Sequence, residues 1–362
     1  MKLNKILFAT FMFSALCSQG ADIDSPTGKL KVITSVNDEG KPVYSVICDG
    51  KTVIDKAPLG LTTDFADLSK GFKETDVKTG VINREYAQDK IKKSKINVSA
   101  TNAVVKYEGE GGKRIDMEWH VADDGVAFRY LVPRQNGKGS MVVKDEKSSF
   151  VFPEGTTTYL TSQSDPMIGW KRTKPSYEEY YVVDAPMDQK SEYGHGYTFP
   201  ALFKTPDGIW TLLTETGVDG YYCGSHLSDY KDGGYSIAFP MEGENNGNGS
   251  ANPGVALPGN TPWRVMAIGD NLAPIVETTL PWDLVEPKYA TSRPARPAKG
   301  TWSWILWQDG SINYDDQKTY IDFAADMGYD NVLIDNWWNT NIGEKKMEEL
   351  IKYAHSKGVN PI

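Results

Sequence analysis

The stretch TWSWILWQDGSINYDDQKTYIDFAADMGYDNVLIDNWW, Thr301 to Trp338, decides the fold of the C-terminal part of the chain. Trp302 to Trp307 reads as a short aromatic and aliphatic strand, buried on both faces. Polar residues follow (Gln308, Asp309, Gly310, Ser311), then a helix. A second apolar run from Asn331 to Ile334 ends in Asp335 and the pair Trp337–Trp338. Two strands about 30 residues apart with a helix between them form the βαβ unit of a parallel sheet. Each run turns from aliphatic to aromatic and acidic at its C-terminal end. In a β/α barrel that end carries the active site. Indole faces beside carboxylates suit a sugar, whose ring stacks on tryptophan and whose hydroxyls donate to aspartate.

Outward from this stretch, the first helix starts near Asn313, whose amide caps it, with Asp315 and Asp316 favourable in the first turn. Tyr320, Ile321, Ala324 and Met327 form its apolar stripe, and Gly328 ends it. A second helix is expected over Glu344 to Ser356, with Met347, Leu350, Ile351 and Ala354 on one face and Gly358 as its stop. Val359 to Ile362 begins a third strand. Two βα units and a strand stub cannot close a barrel of about 250 residues, so residues 300–362 read as the start of a truncated (β/α)8 TIM barrel.

Upstream, Leu280 to Lys299 contains Pro281, Pro287, Pro294 and Pro297 and lacks apolar periodicity. It reads as a semi-extended linker over 281–299, with the domain boundary near residue 295. Residues 21–280 read as an all-β domain. Lys29 to Val36 alternates, as does Val43 to Cys48 after the turn Asp38-Glu39-Gly40-Lys41, and Asp49-Gly50-Lys51 is a further tight turn. Asn97 to Tyr107, Ile115 to Val121, Val126 to Val132, Gly208 to Thr214, a stretch around Tyr221–Tyr222, and Trp263 to Gly269 continue the series. Strands at this spacing predict a large sandwich of two extended sheets with no helix of useful length. Thr158 to Phe203 is dense in Tyr, carboxylate and Gly and reads as long functional loops, with Tyr-rich strands at a sheet edge as the alternative.

At the N-terminus, Lys2 and Lys5 precede the apolar run Ile6 to Leu16, and Ser18-Gln19-Gly20 sets small residues for cleavage before Ala21. Residues 1–20 therefore read as an export signal, with a periplasmic or outer-membrane-associated destination. Cys17 offers lipid attachment as an alternative, against which Leu16 stands where a small residue is expected. After cleavage only Cys48 and Cys223 remain, which reads as two ordinary buried thiols, with a single disulfide between them as the alternative. A net charge of −9 argues against nucleic acid as partner, because phosphate binding needs clustered Lys and Arg. No further segment is apolar enough to span a membrane. The 10 Trp and 19 Tyr fit either carbohydrate handling or a large β core.

The strings GTWSWILWQDGSINYDDQKTYIDFAADMGYDNVLIDNWW, YEEYY at Tyr177–Tyr181, DDGVAFRY at Asp123–Tyr130 and LGLTTD at Leu59–Asp64 together resemble glycoside hydrolase family 97. The resemblance covers essentially the whole mature chain. It implies a multidomain protein: an N-terminal β-super-sandwich followed by a (β/α)8 barrel. It also implies a bacterial, calcium-dependent, exo-acting α-galactosidase or α-glucosidase acting on oligosaccharides or simple α-glycosides. WSWILWQD followed by LIDNWW is closer to the retaining α-galactosidase branch than to the inverting α-glucosidase branch.

In this family the nucleophile and the acid/base sit on later barrel strands, expected beyond Ile362, so no catalytic residue is assigned here and the fragment is expected to be inactive. The family's calcium takes one Glu from the N-terminal domain. Glu178 is the first candidate and Glu179 the second, with a loop-stabilising Glu paired to Lys174 as the structural alternative. Asp335 is the candidate acceptor for sugar hydroxyls, or else a loop cap. Trp307 and Trp337 are the candidate stacking residues. His195 either approaches the pocket or is an exposed loop residue. A non-catalytic carbohydrate-binding sandwich is the reading from another class.

Overall fold

A computed structural model of the protein describes residues 20–88, 91–165, 181–244, 249–289, 292 and 296–362. Contacts divide the chain into two compact units, Met1–Glu286 and Pro287–Ile362.

The first unit is built from β-sheets. Its largest sheet has ten strands and runs, edge to edge, through Tyr181–Pro186, Thr157–Thr161, Ala201–Lys204, Trp210–Thr216, Trp263–Gly269, Gly125–Val132, Arg114–Ala122, Lys95–Gly109 and Phe72–Ala87, with Gly259–Asn260 added beside Gly125–Val132. A four-stranded meander over Asp22–Asp24, Leu30–Val36, Pro42–Cys48 and Lys51–Pro58, together with two smaller sheets, faces it. One apolar cluster joins all four sheets, with Val32 and Tyr44 from the meander, Trp119 and Phe128 from the large sheet, Val143 from the third and Tyr235 from the fourth. This shared core is what makes the unit a layered sandwich. Its centre is aromatic: Tyr44 lies 5.3 Å from Trp119 and 5.4 Å from Phe128, and the Tyr44 hydroxyl donates to the Ser149 carbonyl at 2.9 Å.

The hairpin turns follow their sequence signals. Asp49 and Gly50 both take positive φ, which the two-residue turn between Pro42–Cys48 and Lys51–Pro58 requires. Several expectations are corrected. Tyr221 and Tyr222 lie in a turn, because the Asp219 side chain accepts from the Tyr221 amide at 2.9 Å and starts the turn locally. Residues 158–203 are not all loop: Tyr181–Pro186 is an edge strand paired with Thr157–Thr161, as in the alternative reading. Tyr181, Val182 and Val183 are all exposed, so they show none of the alternation that marks a half-buried strand. Phe72–Ala87, the other edge, was not expected as a strand: ten of its 16 residues are exposed, and the half-buried ones include the charged Glu74 and Arg84. Two short helices, Leu272–Glu277 and Leu280–Asp283, close the unit, so the start of the expected linker is helical. Leu280 is fully buried there against Ala127, Trp263 and Val265.

The second unit is a three-stranded parallel sheet, Gly300–Trp302, Asn331–Leu333 and Asn360–Pro361, with the strands side by side in chain order. The helices Tyr314–Asp326 and Glu344–Ser356 have the expected ends. Asn313 Oδ1 accepts from the Asp316 amide at 3.0 Å, and Gly328 and Gly358 take positive φ beyond the two helices. Tyr320, Ile321 and Ala324 from one helix and Met347, Leu350 and Ala354 from the other bury Val332 of the central strand in a single cluster, so both helices cover the same face of the sheet. Met327, expected in the stripe, is 52% exposed.

The strand expected over Trp302 to Trp307 stops at Trp302. Ser303 is helical (φ −68°, ψ −34°), and Trp304–Trp307 is a helical turn with Ile305, Leu306 and Trp307 exposed. The cause is polar. The Ser303 hydroxyl is fully buried and bonded to Ser311 Oγ (2.8 Å) and Gln317 Nε2 (2.9 Å), which pulls the chain out of the extended conformation toward the first helix. A four-residue apolar run cannot distinguish strand from helical turn by periodicity.

Candidate functional site

The two faces of the parallel sheet carry different chemistry. Thr301 is buried and its hydroxyl donates to the Tyr320 carbonyl at 3.1 Å, and its register partner Val332 packs in the helix cluster. Alternation therefore turns Trp302 and its partner Leu333 to the face the helices leave open. Two residues past Leu333 comes Asp335. Trp302 Nε1 donates to Asp335 Oδ2 at 2.9 Å, and the Asn336 amide donates to Asp335 Oδ1 at 2.7 Å. Each carboxylate oxygen keeps a free lone pair after these bonds, so the group retains capacity to accept hydroxyl donors.

The Trp302 indole lies nearly parallel to Trp304, with ring centroids 5.7 Å apart and planes 17° apart. Trp304 Nε1 in turn donates to Asp309 Oδ1 at 2.8 Å. The ends of two neighbouring strands thus hold two stacked indoles, each tied through its N–H to a carboxylate. Such a platform offers an apolar ring face beside acceptors, the combination that a pyranose recognises.

The structure places the expected site residues unevenly. Asp335 lies two residues beyond the C-terminal end of the strand Asn331–Leu333. Trp307 is 49% exposed and packs edge-on against Tyr320 of the first helix, with centroids 5.0 Å apart. Trp337 takes a left-handed conformation (φ 66°) and precedes the helical turn Trp338–Asn341, where its carbonyl accepts from the Thr340 hydroxyl at 3.0 Å. Trp302, not Trp307, is the indole joined to Asp335. The signal that finds it is the register, which sets Trp302 beside Leu333, two residues before Asp335.

Glu178 and Glu179, together with Lys174, lie outside the described residues. Among the described residues no group of three or more His, Cys, Asp and Glu side chains converges as a cation site. In the first unit, His195 is half-buried with Nε2 3.0 Å from Asp165 Oδ1. It lines a cleft of about 1010 Å³ with His226, Asp229 and Tyr230 among others. Burial of His226 pushes its imidazole below the ordinary histidine range. Cys48 and Cys223 are both free, and burial raises both thiols. No helix among the described residues is long and apolar enough to cross a membrane.

An aromatic sandwich followed by a parallel α/β unit with indoles and a carboxylate at its strand ends is an architecture of glycoside-processing enzymes, and comparison with known proteins makes the assignment specific. The model of the glycosyl-hydrolase 97 N-terminal region matches residues 23–287, and the chain belongs to glycoside hydrolase family 97. A probable retaining α-galactosidase of Streptomyces bingchenggensis (strain BCW-1) is 29% identical over 333 residues, covering 86% of this chain and 47% of that protein. The crystal structure of a β-arabinopyranosidase superposes with a TM-score of 0.88 at 53% identity, covering 94% of this chain and 55% of that one. A family 97 enzyme from Pseudoalteromonas sp. strain K8, solved in complex with panose, superposes with a TM-score of 0.75 at 24% identity over 94% of this chain and 53% of its own, which shows a shared fold. The chain spans about half the length of the curated relatives it matches.

Proposed function

We propose that these residues form the N-terminal part of an exo-acting, retaining glycoside hydrolase that cleaves galacto-configured glycosides. The observation that carries the proposal is the 53% identity, across nearly the whole chain, to a β-arabinopyranosidase, taken with the relation to a probable retaining α-galactosidase. The two substrate names agree chemically. A β-L-arabinopyranoside has the ring configuration of an α-D-galactopyranoside and lacks only the exocyclic hydroxymethyl group. In a family member of full length, the second unit continues into a (β/α)8 barrel. Strands in sequential order with both helices on one face are compatible with that continuation, which rests on the family resemblance.

In this reading Asp335 accepts from sugar hydroxyls and an indole face stacks on the ring, with Trp307 and Trp337 as further candidates for stacking. The cleaving pair of carboxyl groups lies on later strands, close enough together for one to attack the anomeric carbon while the other protonates the leaving oxygen. Calcium and export from the cytoplasm remain parts of the proposal that rest on the family resemblance and on the N-terminal sequence. Replacing Glu178 by Gln in the full-length enzyme is expected to weaken calcium binding measured by calorimetry; unchanged affinity removes Glu178 from the ligand set.

The β-arabinopyranosidase similarity favours a second reading, in which the smaller sugar is the principal substrate. A site that hydrogen-bonds the O6 hydroxyl rejects the analogue lacking it by about 10⁴-fold or more, whereas a site that merely accommodates the group discriminates weakly. Hydrolysis of p-nitrophenyl α-D-galactopyranoside, β-L-arabinopyranoside and α-D-glucopyranoside by the full-length enzyme separates these cases. Turnover of the first two over the glucoside is expected, and their ratio decides between the readings. Preference for the glucoside overturns the proposal.

A further inference from the structure

We propose that Trp302 is a positioning residue whose indole N–H fixes the Asp335 carboxylate for sugar binding, an inference that rests on the function proposed above. The argument is geometric. An aspartate at the end of a strand has two soft side-chain torsions and settles into several rotamers unless held. Here one oxygen is held by the Asn336 amide at 2.7 Å and the other by Trp302 Nε1 at 2.9 Å, so rotation of the carboxylate about its own axis breaks both bonds. The holder is itself held. Trp302 stacks on Trp304, and Trp304 is tied by its own N–H to Asp309 at 2.8 Å. Asp309, Trp304, Trp302 and Asp335 therefore form one chain of constraints that crosses from the first strand's loop to the second strand's end.

Two features make this more than a structural bond. Trp302 lies on the sheet face that neither helix covers, so the bond is made at the strand ends and not within the apolar cluster that packs the helices on the sheet. The bond also leaves the outward lone pairs of Asp335 free, so it sets the direction in which the carboxylate presents its remaining acceptor capacity. Orientation of an acceptor before the ligand arrives lowers the cost of binding, and that gain appears in affinity rather than in the chemical step.

The test uses the full-length enzyme with Trp302→Phe, Asp335→Asn and the double variant. Phenylalanine keeps an aromatic ring and removes the N–H. Loss of one charge-assisted hydrogen bond predicts that Trp302→Phe raises KM by about tenfold or more, with kcat held within about twofold of wild type because the lost interaction acts on binding. If Trp302 acts through Asp335, the double variant binds no worse than Asp335→Asn alone. An unchanged KM in Trp302→Phe, or losses that simply add, overturns the inference.

A second measurement is independent of turnover. With ¹⁵N-labelled tryptophan, Asp335→Asn is expected to move the Trp302 indole N–H resonance upfield and leave the Trp304 resonance in place. A stationary Trp302 signal means that the tie is absent in solution and overturns the inference even in an active enzyme. A moving signal in a protein that hydrolyses neither galactoside nor arabinopyranoside keeps the tie but overturns its role in sugar binding, and the functional proposal falls with it.

Discussion

Arg264 is a buried cation of the sandwich, and its removal gives the sharpest stability prediction. The side chain is 1% exposed and Glu146 is fully buried. Their contact is bidentate, with Nε to Oε1 at 2.9 Å and a terminal guanidinium nitrogen to Oε2 at 2.6 Å. The remaining nitrogen reaches Glu215 and, at 3.0 Å, the Ser225 hydroxyl. Burial by itself would push the guanidinium down, but the Glu146 and Glu215 carboxylates outweigh it and Arg264 stays charged. Among the described residues, Arg264→Met leaves Glu146 with Ser148 (2.8 Å) and Tyr222 (3.2 Å) as side-chain donors. Stranding one charge of a buried pair costs about 3–5 kcal/mol, whereas exchanging the whole pair for apolar side chains is often neutral. At about 2–4 °C per kcal/mol for a unit of this size, the single variant should melt roughly 10 °C lower. Arg264→Met with Glu146→Met should recover much of that loss. Near-UV circular dichroism followed through heat and urea reads the transition of the sandwich. A single variant within about 1 kcal/mol of wild type, or a double variant less stable than the single, would refute the reasoning.

Three further outcomes follow from local features. His120 is 3% exposed and titrates at about 4, below its ordinary 6.5, chiefly through burial, with Arg84 adding to the shift and Glu118 opposing it. Because the folded value lies below the unfolded one, this contribution is complete above pH 6.5 and is lost as pH falls toward 4, to an extent on the order of 3 kcal/mol. His120→Asn should flatten the fall in melting temperature across that window, and parallel curves would count against it. Gly196 has φ +84°, and a Cβ there would lie 1.9 Å from the Leu227 carbonyl oxygen, so Gly196→Ala should cost more than about 2 kcal/mol in urea unfolding. Asn313→Ala removes the N-cap of the first helix in the parallel unit and should cost about 1 kcal/mol there; hydrogen exchange of that helix reads the change, and unaltered protection would show the cap to be redundant.

Much of this fold was legible because one face of an element was buried and the other was not. Trp263–Gly269 and Glu344–Ser356 appear with the bounds the sequence suggested, the first buried throughout and apolar but for Arg264, the second periodic. What escaped was wherever burial and conformation part company. Edge strands such as Phe72–Ala87 and Tyr181–Pro186 are largely exposed, so their apolar residues do not mark one buried face. Trp304–Trp307 looked like strand because its residues are apolar, but the buried hydroxyl of Ser303, a contact made with Gln317 fourteen residues away, sets the backbone there. At the site, Asp335 was legible as the acidic end of a strand. The bond from Trp302 to Asp335 was not, because it depends on a side-chain contact between two strands 33 residues apart.

The central claim is that the enzyme cleaves galacto-configured glycosides with retention, and the stereochemistry of the first product tests it most directly. Proton NMR of the reaction of the full-length enzyme on p-nitrophenyl α-D-galactopyranoside, taken before mutarotation, distinguishes the two anomers. The account predicts that α-galactose appears first, as expected for a carboxylate nucleophile and a covalent intermediate. Initial release of β-galactose would contradict it and require direct attack by water on the opposite face of the ring.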